Sequence, residues 1–217
     1  MGTLTVSQRP LERSPYLEWG VAEMAMAGQN TSGDQHVVCA RPDGVVVVAV
    51  VDGLGHGPDA AAAAERAVAT IIRYADQSVI SLVRTCHKAL IGTRGAAMSI
   101  ASFNSLDDTL TWLAIGNVEG VLLRADPQAR PTRESVVMRG GVIGYELPMV
   151  RAAVTIVAPG DLLVFATDGI DSSFTDQLGV SRPPQRLADH ILAEHGKGTD
   201  DALVFVARYL GRTSTRT

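Results

Sequence analysis

The sequence predicts an α+β domain of two mostly antiparallel sheets packed face to face, with helices on the outside. Three observations carry this reading. Short apolar strands dominate the chain, one pair of adjacent helices interrupts them, and a third helix precedes a last strand. The regular strand–helix alternation that a parallel array needs is missing.

In chain order, Leu17–Met26 alternates in a period of about two and reads as a strand. Val37–Arg41 and Val45–Val51 flank Pro42-Asp43-Gly44, a turn with Pro second and Gly last. Val45–Val51 is almost all Val, the pattern of a strand buried on both faces. Pro58–Ala75 opens with Pro and is rich in Ala, so it predicts a helix. Ser78–Leu90 places Val79, Leu82, Val83, Cys86 and Leu90 at helical spacing. Ala97–Phe103 and Thr109–Ile115 form a hairpin around Asn104–Asp108. Val118–Arg124, Ala152–Val157 and Leu162–Ala166 are further strands, with a polar loop over Asp126–Arg133. Arg139–Pro148 is short and glycine-rich and reads as a lid. Pro184–His195 aligns Leu187, Ile191 and Leu192 on one face of a helix, and Ala202–Arg208 is the last strand.

The 217 residues are 46% hydrophobic and 19% charged, which suits one domain with a sizeable core. Residues 1–15 read as a loose leader, 16–210 as the single domain and 211–217 as a flexible tail. A net charge of -4 supplies no field for a phosphate backbone, so nucleic acid is not an expected partner. Cys39 and Cys86 lie in apolar stretches without a CxxC pair, as buried free thiols in a reducing compartment do. No apolar run reaches 18 residues and no signal peptide is recognisable. A cytoplasmic monomer away from membranes is the expectation.

The chemistry is carried by carboxylates at strand ends. Asp34 follows Ser32-Gly33, and Asp52 ends the Val-rich strand in Asp52-Gly53-Leu54-Gly55-His56-Gly57. Asp168 stands in Thr167-Asp168-Gly169, and Asp200-Asp201 opens the last strand. A carboxylate at a buried strand end is costly without a cation or hydrogen bonds, and several together repel. Oxygen donors of this kind suit the hard cations Mg²⁺ or Mn²⁺ rather than zinc. Singly, each Asp also reads as a turn or cap residue. Four with the same flanks are poorly explained that way.

This ordered set resembles the metal-dependent protein phosphatase superfamily, protein phosphatase 2C-like, and more narrowly the SpoIIE-type bacterial serine phosphatases. The resemblance runs from about Leu17 to Arg208. Its short, stand-alone stress-signalling members are the most similar, with Arg94-Gly95-Ala96-Ala97 and Ile115-Gly116-Asn117-Val118-Glu119-Gly120 as further points of likeness. It implies a four-layer α-β-β-α sandwich with paired helices on each outer face and metals at one end. Asp52 would bridge two ions, the Gly53 carbonyl would ligate one, and Asp168 and Asp200 would hold the second. Asp34 would act directly or through a bound water. Asp201 is the ambiguous neighbour; in the family the first acid of the pair is the ligand.

The implied reaction is hydrolysis of phosphoserine or phosphothreonine on STAS-domain proteins of a stressosome-type module, by in-line attack of a metal-activated water. The alternative is an inactive module of the same fold that binds STAS-domain proteins. Two departures qualify the likeness. Leu54 occupies the position of a general-acid His found in many members, leaving His56 as the catalytic candidate or merely a loop-shaping or helix-capping residue. Thr93-Arg94-Gly95-Ala96 lacks the acid that holds a third ion elsewhere, so two are expected. Arg94 is the candidate for the substrate phosphate, against a plain surface or packing role.

Overall fold

The computed structural model describes residues 14–29 and 31–212. Residues 1–13 of the expected leader and 213–217 of the tail lie outside the described residues. One sheet has the strand order β1 (Leu17–Met24), β11 (Ala202–Tyr209), β10 (Leu162–Ala166), β6 (Glu119–Leu123), β7 (Arg133–Ser135). The other runs β2 (Asp34–Ala40), β3 (Val45–Gly53), β4 (Ala96–Asn104), β5 (Thr109–Ile115). Beside β5 lie two short strands, β8 (Met138–Arg139) and β9 (Ala153–Ile156). All pairings are antiparallel except β5 with β8.

The four layers follow from side-chain alternation. Val46, Val48 and Val50 of β3 point into the core between the sheets, with Phe165, Phe205 and Tyr209 from the opposite sheet. Val47, Ala49 and Val51 point outward against α1 (Pro58–Arg73) and α2 (Val79–Leu90). All six residues Val46–Val51 are fully buried, and each such Val contributes roughly 1.5–3 kcal/mol over an exposed one. On the far side, Leu162, Val164, Val204 and Val206 meet Leu187, Ala188 and Ile191 of α3 (Pro184–His195). Cys39 and Cys86 are both free and both buried in the α1–α2 layer.

The outer layers are unequal. Paired helices cover only the second sheet, while α3 and a 3₁₀ turn at Ser172–Gln177 serve the first. Between Ala166 and Pro184 the chain spends its residues on the Asp168 loop and that turn, which Asp171 caps through the Ser173 amide (2.9 Å). Arg139–Pro148 is no free lid. Ile143 exchanges both backbone hydrogen bonds with Ala96, the Gly144 amide donates to His87 Nδ1 (3.0 Å), and the Gly116 amide donates to the Arg139 carbonyl.

Candidate functional site

Both sheets deliver carboxylates to the same end of the sandwich. In the β2–β3 ladder, Asp34 is the direct partner of Asp52. In the other sheet β10 ends as β11 begins, Ala166 opposite Val204, so Asp168 and Asp200-Asp201 emerge there too. The backbone beyond β3 then turns under helix α1. A Cβ on Gly53 would stand 2.1 Å from the Ala60 carbonyl oxygen. Only glycine lets β3 and α1 meet this closely, which holds the Gly53 carbonyl beside Asp52.

Asp34 is 2% exposed. Its Oδ2 accepts the Thr167 hydroxyl at 2.7 Å, and the Thr167 oxygen in turn accepts the Leu203 amide at 2.8 Å. Burial pushes the Asp34 carboxyl up to about 7 despite that hydrogen bond, with repulsion from Asp201, Asp168 and Asp200 adding to the shift. Asp52 is driven up to about 8, again by burial first and then by Asp34, Asp168, Asp200 and Asp201. Burial and Asp200 also raise Asp168, opposed by Lys197 and by Asn117, whose Nδ2 donates to Oδ2 at 2.6 Å. Lys197 Nζ donates to the Asp168 carbonyl at 2.7 Å.

The geometry separates the two neighbouring acids. Asp201 is 4% exposed and both its oxygens are engaged, Oδ1 by the Met26 amide and Oδ2 by the Gly33 amide, each at 2.7 Å. It ties the end of β1 to the loop that carries Asp34. Asp200 is half-buried, and its Oδ1 accepts the Asp201 amide at 2.8 Å. His56 is exposed in the loop before α1 and does not cap that helix, whose N-cap is Gly57 without a side-chain hydrogen bond. Arg94 lies against the same loop and pairs with Asp59 at 3.3 Å.

Among the described residues no basic side chain forms a salt bridge with Asp34, Asp52, Asp168 or Asp200. Nor, among the described residues, do any three acidic, His or Cys side chains converge as closely as ligands of one ion would. Thr167 and Asn117 each occupy one carboxylate oxygen, on Asp34 and Asp168 respectively. The donors nevertheless fit a hard divalent cation: they are all oxygens, Asp34 is buried with Asp52 and Asp200 half-buried beside it, and Lys197 relieves the mutual repulsion only at Asp168. Sequence reasoning assigned no role to Thr167, Asn117 or Lys197. Their contacts span 133, 51 and 29 residues respectively, which no local pattern announces.

Comparison with known proteins extends this picture. The family described as stage II sporulation protein E (SpoIIE) matches residues 42–210. The chain belongs to the SpoIIE family. Phosphoserine phosphatase RsbX of Bacillus subtilis (strain 168) is 29% identical over 112 residues, 52% of this chain and 56% of RsbX. The match thus spans about half the length of that relative. Among solved structures, one described as "The bacterial stressosome: a modular system that has been adapted to control secondary messenger signaling" superposes with a TM-score of 0.79 at 29% identity. It covers 88% of this chain and 99% of its own. A crystal structure of RsbX in complex with magnesium gives 0.80 at 20% identity, over 91% and 98% of the two chains, and shows the shared fold. For this SpoIIE-family chain, among the described residues, no helix is long and apolar enough to cross a membrane.

Proposed function

We propose that this SpoIIE-family protein is a Mg²⁺- or Mn²⁺-dependent phosphoserine/phosphothreonine protein phosphatase. Its substrates are STAS-domain phosphoproteins of a cytoplasmic, stressosome-type signalling module, on which it acts as a monomer. The observation that carries the reading is the gathering of Asp34, Asp52, Asp168 and Asp200 at one end of the sandwich. Their mutual repulsion helps to raise the pKa of the first three, and none of the four forms a salt bridge among the described residues. The family and the names of the relatives support the activity and its setting.

Asp52 and the Gly53 carbonyl would hold one cation, and Asp52, Asp168 and Asp200 a second, with Asp34 at the edge of the pair. Bound there, such ions neutralise the carboxylates, polarise a phosphoryl oxygen and lower the pKa of water. The chain's own contribution is placement. Thr167 fixes the Asp34 carboxylate, Asn117 fixes that of Asp168, and Asp201 holds the Gly33 loop in register with β3. Arg94 supplies a guanidinium for the substrate's phosphate oxygens. His56, exposed in the loop before α1, would give a proton to the departing serine or threonine oxygen.

The test is turnover of p-nitrophenyl phosphate with Mn²⁺ against an EDTA control, followed by loss of phosphate from phosphorylated STAS proteins measured by intact mass. Metal-dependent turnover supports the reading. STAS binding without turnover would make the chain an inactive docking module instead.

A further inference from the structure

Beside the metal loop runs a cleft of about 480 Å³ of which the phosphatase reading uses Arg94 alone. Helix α1 contributes Asp59, Ala62, Ala63 and Arg66 to it, and the turn after α2 contributes Thr93 and Arg94. The α1 residues are spaced by three, four and seven, so they form one stripe along the helix. The stripe begins at the metal end. Gly55, at φ +84°, packs so closely on Arg94 that a Cβ there would stand 2.7 Å from Nη1.

Charge in the cleft is uneven. Arg94 pairs with Asp59, whereas Arg66 forms no salt bridge among the described residues. The Thr93 hydroxyl is already committed to the Leu90 carbonyl at 2.7 Å. The exposed Arg66 is therefore the cleft's basic residue without an ion-pair partner among the described residues, and it shares the lining with the small Ala62 and Ala63 side chains. A planar fork of donors in that setting suits a carboxylate.

We infer that the cleft between α1 and the α2–β4 turn selects substrates by an acidic side chain near the phosphorylated residue, bound by Arg66. This rests on the phosphatase reading for the position of the phosphate. Arg94, which the phosphatase reading gives to the phosphate, pairs with Asp59 at 3.3 Å, and Asp59 and Arg66 are seven residues apart, about 10 Å along the helix at 1.5 Å per residue. An extended chain covers that in about three residues at 3.3 Å each. The favoured substrate therefore carries Asp or Glu about three residues from its phosphoserine.

The experiment uses the full chain with Mn²⁺ and phosphoserine peptides bearing Glu, Gln or Lys three residues before or after the phosphate. The Glu peptide of one direction should exceed its Lys counterpart in kcat/KM by roughly fivefold to tenfold, the range of an exposed ion pair plus the matching repulsion. Arg66→Gln should bring the ratio close to one, and Arg66→Glu should invert it. Anisotropy of fluorescein-labelled peptides reads the same preference without turnover. Loss of all turnover in the parent chain would defeat the phosphatase reading, while the binding ratio would still decide the cleft. A parent chain indifferent to the flanking charge, or a preference that survives Arg66→Glu, overturns the inference.

Discussion

Replacing Asp201 by Asn separates the residue that builds the site from the neighbour proposed to ligate in it. The Asp201 carboxylate accepts two backbone amides at 2.7 Å in an almost fully buried position. Asn keeps one acceptor and turns an NH₂ toward the other amide. The loss of a charge-assisted hydrogen bond costs about 1.5–3 kcal/mol, and the buried N–H left without a partner adds about 1–3 kcal/mol. A total of about 4 kcal/mol lowers the melting temperature of a domain this size by about 10 °C. Asp200→Asn should behave in the opposite way. Its amide oxygen still accepts the Asp201 N–H, so the fold should melt within about 2 °C of the parent while Mn²⁺ binding and turnover are lost. Differential scanning calorimetry with Mn²⁺ titration distinguishes the two. An Asp201→Asn protein as stable as the parent, or an Asp200→Asn protein that keeps two ions, would refute the division of labour.

Three further outcomes are expected. Asp52→Asn should abolish both Mn²⁺ binding and turnover in a folded protein, and calorimetry still finding two bound ions would remove Asp52 from the metal centre. Asp34 and Asp52 carry folded-state pKa values of about 7 and about 8, above the ordinary carboxyl value. The metal-free fold thus holds more protons than the unfolded chain between about pH 4 and 8, and these groups should cost it stability as pH rises through that window. Melts in EDTA should show that fall in the parent and a smaller one in Asp52→Asn; equal slopes would contradict it. Gly53→Ala drives a methyl group into the Ala60 carbonyl at 2.1 Å, so it should cost several kcal/mol and weaken Mn²⁺ binding. Unchanged binding would show that the approach of β3 to α1 is dispensable.

Most of the sandwich was legible because burial and period coincide. Thr109–Ile115, Leu162–Ala166 and Pro184–His195 have the bounds that pattern alone predicts, and Val45–Gly53 is buried on both faces as its composition demands. Strands β7 and β8, of three and two residues, are too short to show alternation and are set by their pairing with β6 and β5. The polar run Asp126–Arg133 therefore ends inside a strand. The lid expected at Arg139–Pro148 failed because glycine content does not reveal the non-local bonds to Ala96 and His87. At the site, the residue types and their strand-end positions could be read directly. The separate duties of Asp200 and Asp201 could not, because they depend on amides at Met26 and Gly33, far away in sequence.

The pairing of Asp34 with Asp52 has a consequence for how the chemistry of the site could change. β2 is the outermost strand of its sheet, held in register by a single ladder to β3. A slip of two residues would keep every β2 side chain on its present face. It would also carry His36 into the place opposite Asp52 that Asp34 now occupies. An imidazole nitrogen would then stand among the carboxylates, a donor that suits zinc rather than magnesium. The turn at Pro42-Asp43-Gly44 sets that register from the opposite end of the strands. If cations bind at this end of the sandwich, the length of a hairpin far from them would thus bear on which element the site prefers, without any exchange of the carboxylates themselves.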